Sequence, residues 1–88
     1  MPNWSISFTE EAKKELEDLN SSVRDRVVDK IQWLEDNSHS IFHKELTRDL
    51  KNCYKLRVGD WRVIYTINEK FSTIVITMIK HRSKVYKK

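Results

Sequence analysis

The sequence predicts an α+β fold in the order β-α-α-β-β-β, with an antiparallel helical hairpin packed on one face of a sheet. Three observations lead to it. Apolar and polar residues alternate along Trp4-Ser5-Ile6-Ser7-Phe8, the mark of a half-buried strand. Apolar residues then recur at helical spacing, with one interruption at Asn20-Ser21-Ser22. From residue 53 onward the chain is rich in Val, Ile, Tyr and Thr, the usual strand formers.

Thr9 stands where a helix N-cap belongs. Glu10 and Glu11 follow it and suit the positive end of the helix dipole. Ala12, Leu16 and Leu19 mark the buried stripe of this first helix. Ser22 is the expected cap of the second helix, with Asp25 three residues on as a weak capping box. Val23, Val27, Ile31 and Leu34 form its stripe, and Trp33 lies off that stripe, at its edge. Both helices are mixed in charge and read as scaffold. Residues 37–52 read as a loop anchored by Leu46 and Leu50. Three strands are expected at 53–58, 61–67 and 73–80. Gly59-Asp60 fits a two-residue type II′ hairpin turn, and Asn68-Glu69-Lys70 turns the next corner. These connections are too short for helical crossovers, so the three strands should pair antiparallel.

At 88 residues the chain is expected to form a single domain, 1–88, that buries roughly 60–65% of its unfolded surface. Cys53 is the one cysteine, which rules out an intramolecular disulfide and fits a reducing compartment. No apolar run approaches the ~20 residues of a membrane span, and Met1-Pro2-Asn3-Trp4 does not read as a signal peptide. The expectation is a soluble cytoplasmic protein without membrane contact. His39, His43 and His81 have no cysteine partners, so no metal site and no cofactor are expected. Trp4, Trp33 and Trp61 read as packing residues.

The charge is divided unevenly. Residues 1–50 carry 7 Lys/Arg against 11 Asp/Glu, and residues 51–88 carry 10 against 2, so the two parts hold −4 and +8. That asymmetry fits a polyanion partner, nucleic acid first, and fits equally a solvated basic surface. The hairpin sharpens the choice. A turn at Gly59-Asp60 sets Val58 opposite Trp61, Arg57 opposite Arg62, Leu56 opposite Val63 and Lys55 opposite Ile64. Tyr54, Leu56, Val58, Trp61, Val63 and Tyr65 then share the face that meets the helices. Lys55, Arg57, Arg62 and Ile64 share the other, with no acid nearby. Directly opposed like charges destabilise a sheet by up to ~1 kcal/mol. On this reading Arg62→Ala should leave stability unchanged or slightly raised, and a bound polyanion would relieve the face. The tract "IKHRSKVYKK" at 79–88 adds Lys80, His81, Arg82 and Lys84, with Tyr86 able to stack on a base.

On "YKLRVGDWRVIY" at 54–65 and "KHRSKVY" at 80–86, the sequence resembles the RelE-like toxins of the RelE/ParE toxin–antitoxin superfamily, loosely over nearly the whole chain. The resemblance implies a metal-independent endoribonuclease that enters the ribosomal A site and cuts mRNA there. The 2′-hydroxyl attacks the adjacent phosphorus and the 5′-oxygen leaves. It also implies a cognate antitoxin as partner. The free toxin is expected to be a monomer.

Residue by residue, the resemblance gives Lys55 the first catalytic lysine position and Arg62 that of the arginine that steadies the transition-state phosphate. Lys80 falls where many members carry a general acid, and Tyr86 matches a tyrosine that stacks on or orients a base. His81 is frequent in members with an "HRxxVY" ending and is a second candidate acid. Arg57 stands where a second lysine is usual. It holds phosphate but is a poor base. Arg57, Arg82 and Lys84 are assigned to phosphate or RNA binding. A lysine among cations releases its proton more readily, which suits Lys55 as base. The usual helix after the last strand is expected to be absent. Two other readings stay open: a ParE-like inhibitor of DNA gyrase without nuclease chemistry, and a weakly active homologue that mainly binds RNA and its antitoxin.

Overall fold

The computed structural model describes residues 4–37 and 53–85. Its elements are β1 (Ser5–Phe8), α1 (Glu10–Asp18), α2 (Ser21–Asn37), β2 (Cys53–Val58), β3 (Trp61–Asn68), β4 (Thr73–His81) and α3 (Arg82–Val85), with a 3-10 turn at Glu69–Phe71. The strands form one sheet in the order β1-β4-β3-β2. The expected β-α-α-β-β-β order is the observed one.

Local sequence sets the helix ends. Thr9 stays extended, and its hydroxyl accepts the Ala12 N–H at 3.1 Å, which starts α1 as expected. Leu19 returns to an extended backbone and closes the helix through its N–H on the Leu16 carbonyl. The start of α2 differs from expectation. Asn20, not Ser22, is the cap: its Oδ1 accepts the Val23 N–H at 3.0 Å. Asparagine caps as well as serine, and it comes two residues sooner, so it gains extra helix. Ser22 lies inside the first turn, and its hydroxyl donates to Asn20 Oδ1 at 3.2 Å. Asp25 is thereby too far along to complete a capping box.

The β2–β3 register is the expected one, including Arg57 opposite Arg62. Gly59 has φ +59°, while Asp60 is not among the residues with positive φ, which fits the expected type II′ turn. The next corner is longer than expected. Asn68 Oδ1 accepts the Phe71 N–H at 3.4 Å, and Ser72 takes a left-handed φ of 49° before β4 begins. β3 and β4 pair antiparallel, and β1 lies parallel to β4 with Ser5 opposite Thr73 and Phe8 opposite Ile76.

One irregularity matters for everything on β4. Ile64 faces Met78, yet Tyr65 faces Ile76, so Thr77 is an extra residue with nothing opposite it. Its hydroxyl donates to the Ile64 carbonyl at 3.1 Å, and its carbonyl accepts from the Thr9 hydroxyl at 3.3 Å. Because of this bulge, Ile74, Ile76 and Ile79 all enter the core. They meet Ala12, Leu19, Val27, Ile31 and Leu34 from the helical side, together with Val58, Val63 and Tyr65 from the sheet. Each such aliphatic side chain is worth about 1.5–3 kcal/mol of transfer free energy when fully buried. Trp33 is off the stripe, as expected, at 41% exposure, with the Lys30 ammonium 4.7 Å from its ring centroid. No helix among the described residues is long and apolar enough to cross a membrane.

Two predictions follow from this packing. Asn20→Ala should cost about 1 kcal/mol in urea unfolding, and Ser22→Ala clearly less; the reverse order would return the cap to Ser22. Tyr65 stacks on Tyr54 with ring centroids 5.6 Å apart. Burial, and then the neighbouring Tyr54, push its phenol up to about 12 from 10.0. The unfolded chain loses this proton first, so the contribution is complete below pH 10.0 and is lost as pH rises toward about 12. Tyr65→Phe should therefore flatten the fall of melting temperature across that window.

Candidate functional site

The antiparallel register sets three cations side by side in one row across the sheet. Arg57 on β2 lies opposite Arg62 on β3, and Arg62 lies opposite Lys80 on β4. One row further along, Lys55 lies opposite Ile64, which lies opposite Met78. Direct neighbours in such a sheet have Cα atoms about 4.5–5.5 Å apart. The register thus sets Lys55, Arg57, Arg62 and Lys80 at adjacent backbone positions. Lys80 joins them only because of the bulge at Thr77. The other faces of β2 and β3 carry Tyr54, Leu56, Val58, Trp61, Val63 and Tyr65 against the core, as expected.

Arg62 is not splayed into solvent. It is 4% exposed, and its Nη1 donates to the Gly59 and Trp61 carbonyls at 2.9 Å each. The guanidinium folds back toward the hairpin turn, while Arg57 stays exposed. This corrects the expected clash: carbonyl dipoles, not a bound polyanion, take up the Arg62 charge in the protein itself. The expected outcome for Arg62→Ala changes with it, from no loss of stability to a loss.

Lys80 adds what the hairpin alone did not offer, acids at the end of the row. Its ammonium pairs with Glu15 and lies 3.7 Å from Glu11. The other Glu15 oxygen accepts the Ile79 N–H at 2.7 Å. The reason is the short first strand. β1 ends opposite Ile76, which leaves the next part of the β4 edge to α1, and Glu15 supplies the acceptor there. Glu11 and Glu15 are four residues apart, on one side of the helix. That spacing is legible in the sequence, but nothing in the sequence says which cation it meets. The Glu15 hydrogen bond, aided by the charges of Glu15 and Glu11 and opposed by burial, holds the Lys80 ammonium above its usual 10.5. Lys80 keeps its proton more tightly and, while so paired, is the weaker acid.

His81 is not brought to this row. It points from the opposite face of β4 and meets Trp61 edge-on, with centroids 5.4 Å apart. Its Nδ1 accepts the Ser83 N–H at 3.3 Å and lies 3.1 Å from the Ser83 hydroxyl. The ring thereby supports a helical turn, α3, where no helix was expected. Lys84 and His81 line a cavity of about 210 Å³ with Asp18, Leu19 and Trp61, and Lys80 and Glu15 line it as well. Arg82 is tied to the hairpin turn: its N–H donates to the Asp60 carbonyl at 2.8 Å, and its Nε is 3.9 Å from the Asp60 carboxylate. Tyr86 lies outside the described residues, as do Leu46, Leu50, His39 and His43. Among the described residues no group of His, Cys, Asp and Glu has the makings of a metal site.

Arg62→Ala should lower stability by about 1–3 kcal/mol, because it removes charged hydrogen bonds from a buried position. Thermal and urea unfolding measure this directly. An unchanged or raised melting temperature would restore the like-charge account of the hairpin.

A family model described as the ParE toxin of the type II toxin–antitoxin system parDE matches residues 6–86. The chain is 26% identical over 85 residues to the toxin RelG of Mycobacterium tuberculosis, covering 97% of this chain and 98% of that one. It is 29% identical over 87 residues to a putative RelE-like toxin protein of Escherichia coli, covering 94% and 90%. Among solved structures it is similar to the toxin–antitoxin complex RelBE2 of M. tuberculosis, with a TM-score of 0.79 and 27% identity over 94% of this chain and 95% of that chain. It is also similar to the archaeal RelE–RelB complex of Pyrococcus horikoshii, with a TM-score of 0.72 and 28% identity over 93% and 98%. With a family model matched along almost its whole length and neighbours of the same fold, the chain belongs to the RelE/ParE superfamily of type II toxin–antitoxin toxins.

Proposed function

We propose that this toxin cuts mRNA on the ribosome without a metal ion, and that a cognate antitoxin restrains it. The observation that carries the reading is the register row Arg57, Arg62 and Lys80, with Lys55 one row along. Exposed Arg57 and half-buried Lys55 suit a scissile phosphate, with Arg62 fixed beneath the row and Lys80 at its end. The RelE-like names of the relatives favour RNA, whereas the family description carries the name ParE. The gyrase-inhibitor reading needs no such row.

The chemistry asks for three things. Charge on the phosphorane must be neutralised, the 2′-hydroxyl must lose a proton, and the 5′-oxygen must gain one. Arg62 supplies fixed charge, since its hydrogen bonds to Gly59 and Trp61 hold it before substrate arrives. Arg57 is exposed and able to grip a phosphate oxygen. Lys55, as the neutral amine, takes the 2′-hydroxyl proton and becomes the ammonium. Lys80 protonates the leaving oxygen once the incoming phosphate has drawn it away from Glu15 and Glu11. His81, committed to α3 on the other face, is not part of this scheme, and Tyr86 stacks on a base of the codon. The toxin acts in the cytoplasm as a monomer, and its antitoxin covers the cationic face.

Purified toxin added to ribosomes programmed with mRNA, followed by mapping of mRNA 5′ ends, tests this. Breaks within codons at the A site are expected. Lys55→Arg should slow cutting by about 10²–10⁴-fold, because it keeps the charge and removes the base. Arg57→Lys should retain activity. Intact mRNA together with DNA breaks in cells would move the toxin to the gyrase reading, and Lys55→Arg at the parent rate would remove Lys55 as base.

A further inference from the structure

A second group of cations lies around the hairpin turn, on the side of β2 that meets α2. Arg26 and Lys30 are four residues apart and rise from one side of α2. With Arg57, Asp29, Val58 and Gly59 they line an open cleft of about 370 Å³. Gly59 leaves room for Arg26 beside the turn. A Cβ placed there would lie 2.8 Å from an Arg26 guanidinium nitrogen, so the missing side chain lets Arg26 lie directly over the turn. Three of the lining residues are cations and one, Asp29, is an acid. None of the three cations has an ion pair within the described residues.

Arg57 belongs to both places. It stands in the row with Arg62, and, being on the sheet's edge strand, it also lines the cleft. From the continuity of charge through Arg57, together with the excess of cations over acids, we infer that the cleft formed by Arg26, Lys30 and Arg57 is a second phosphate subsite, taking a backbone phosphodiester of RNA on the strand whose neighbouring phosphate occupies the Arg57–Arg62–Lys80 row. The subsite rests on the mRNA reading above and adds to it a direction: the RNA strand leaves the catalytic row over the β2 edge toward α2. An RNA backbone repeats its charge at every nucleotide, so a site that holds one phosphate gains from holding the next. Arginine and lysine at helix spacing suit this task, since neither needs to read a base. Lys30 is also held over the Trp33 ring, which keeps its ammonium near the helix surface.

The test uses the whole toxin and ribosomes programmed with mRNA that carries 2′-O-methyl groups in the A-site codon, so that binding is read without cutting. The double variant R26Q/K30Q should bind about tenfold more weakly at physiological salt. Its plot of log affinity against log salt should be shallower by roughly 0.7 to 1. Asp29→Asn should act in the opposite direction and tighten binding about two- to threefold. K13Q/K14Q removes the same charge from α1 and serves as the control, with affinity close to the parent. All of these positions except the half-buried Lys30 are exposed, and melting temperatures check that each variant is folded. Parent-like affinity and salt slope in R26Q/K30Q would overturn the subsite while leaving the mRNA reading in place. An equal loss in K13Q/K14Q would reduce the effect to net charge and overturn it as well. A parent toxin that does not bind programmed ribosomes would overturn the mRNA reading and the RNA occupant with it. Weaker antitoxin binding in R26Q/K30Q, with ribosome binding unchanged, would overturn the RNA assignment and give the cleft to an acidic stretch of the antitoxin.

Discussion

One extra residue on β4 decides what the two faces of the sheet carry. Strict alternation from Ile74 and Ile76 would turn residues 78 and 80 toward the helices and expose Ile79. Thr77 interrupts that alternation, so Ile79 closes the core and Lys80 comes into line with Arg62. A bulge of this kind leaves backbone groups to be satisfied elsewhere. Here the Thr77 carbonyl is met by the hydroxyl of Thr9, the same residue that caps α1. The end of β1, the start of α1 and the face presented by β4 are thus settled at one point in space. The core and the cationic row do not vary separately, because both depend on the parity of the same strand.

The row itself is held by two kinds of restraint. Arg62 is fixed by carbonyls of its own hairpin, and no competing ligand is needed to orient it. Lys80 is held by carboxylates of α1 that a phosphate must displace. The carbonyl dipoles hold Arg62 in place without supplying a full counter-charge, whereas the carboxylates mask Lys80 until exchange occurs. Glu15 cannot simply be removed to unmask it, since the same carboxylate completes the hydrogen bonding of the β4 edge at Ile79. The arrangement joins the energetics of the fold to the electrostatics of the site.

Much of this was legible in the sequence, for stated reasons. The 53–58 and 61–67 strands, their turn and the opposition of Arg57 to Arg62 follow from a two-residue loop and period-two patterning, both of which are local. The Thr9 cap is local too. What the sequence hid is long-range or three-dimensional. The parallel seat of β1 beside β4 has no marker in either segment, and the bulge at Thr77 adds one residue to a run that reads as plain strand. Arg62 looked exposed because alternation reports a face and not how deeply that face is covered. Lys80 looked unopposed because its acids come from a helix 65 residues away along the chain, Glu15 being the nearer contact. His81 sits beside Lys80 in sequence and so faces the other way, which alternation would have shown had the bulge been known. Asn20 and Ser22 are both good caps by residue type, and only the fold shows which of them starts α2.

The order of strands has a consequence for how the protein is made. β4 is the last strand of the described chain, yet it lies inside the sheet, between β1 and β3. Ser5 and Thr73, which face each other across the β1–β4 pair, are 68 positions apart. Contacts so distant in sequence form slowly, because a long loop must close before they repay its entropy. During synthesis the helical hairpin and the β2–β3 hairpin emerge without the strand that joins them to β1. The nascent chain can display Arg57 and Arg62, but the third cation of the row arrives only with β4. A ribosome translating this message therefore carries an unfinished sheet until nearly all of the described chain has left it, and the row becomes whole as the fold does.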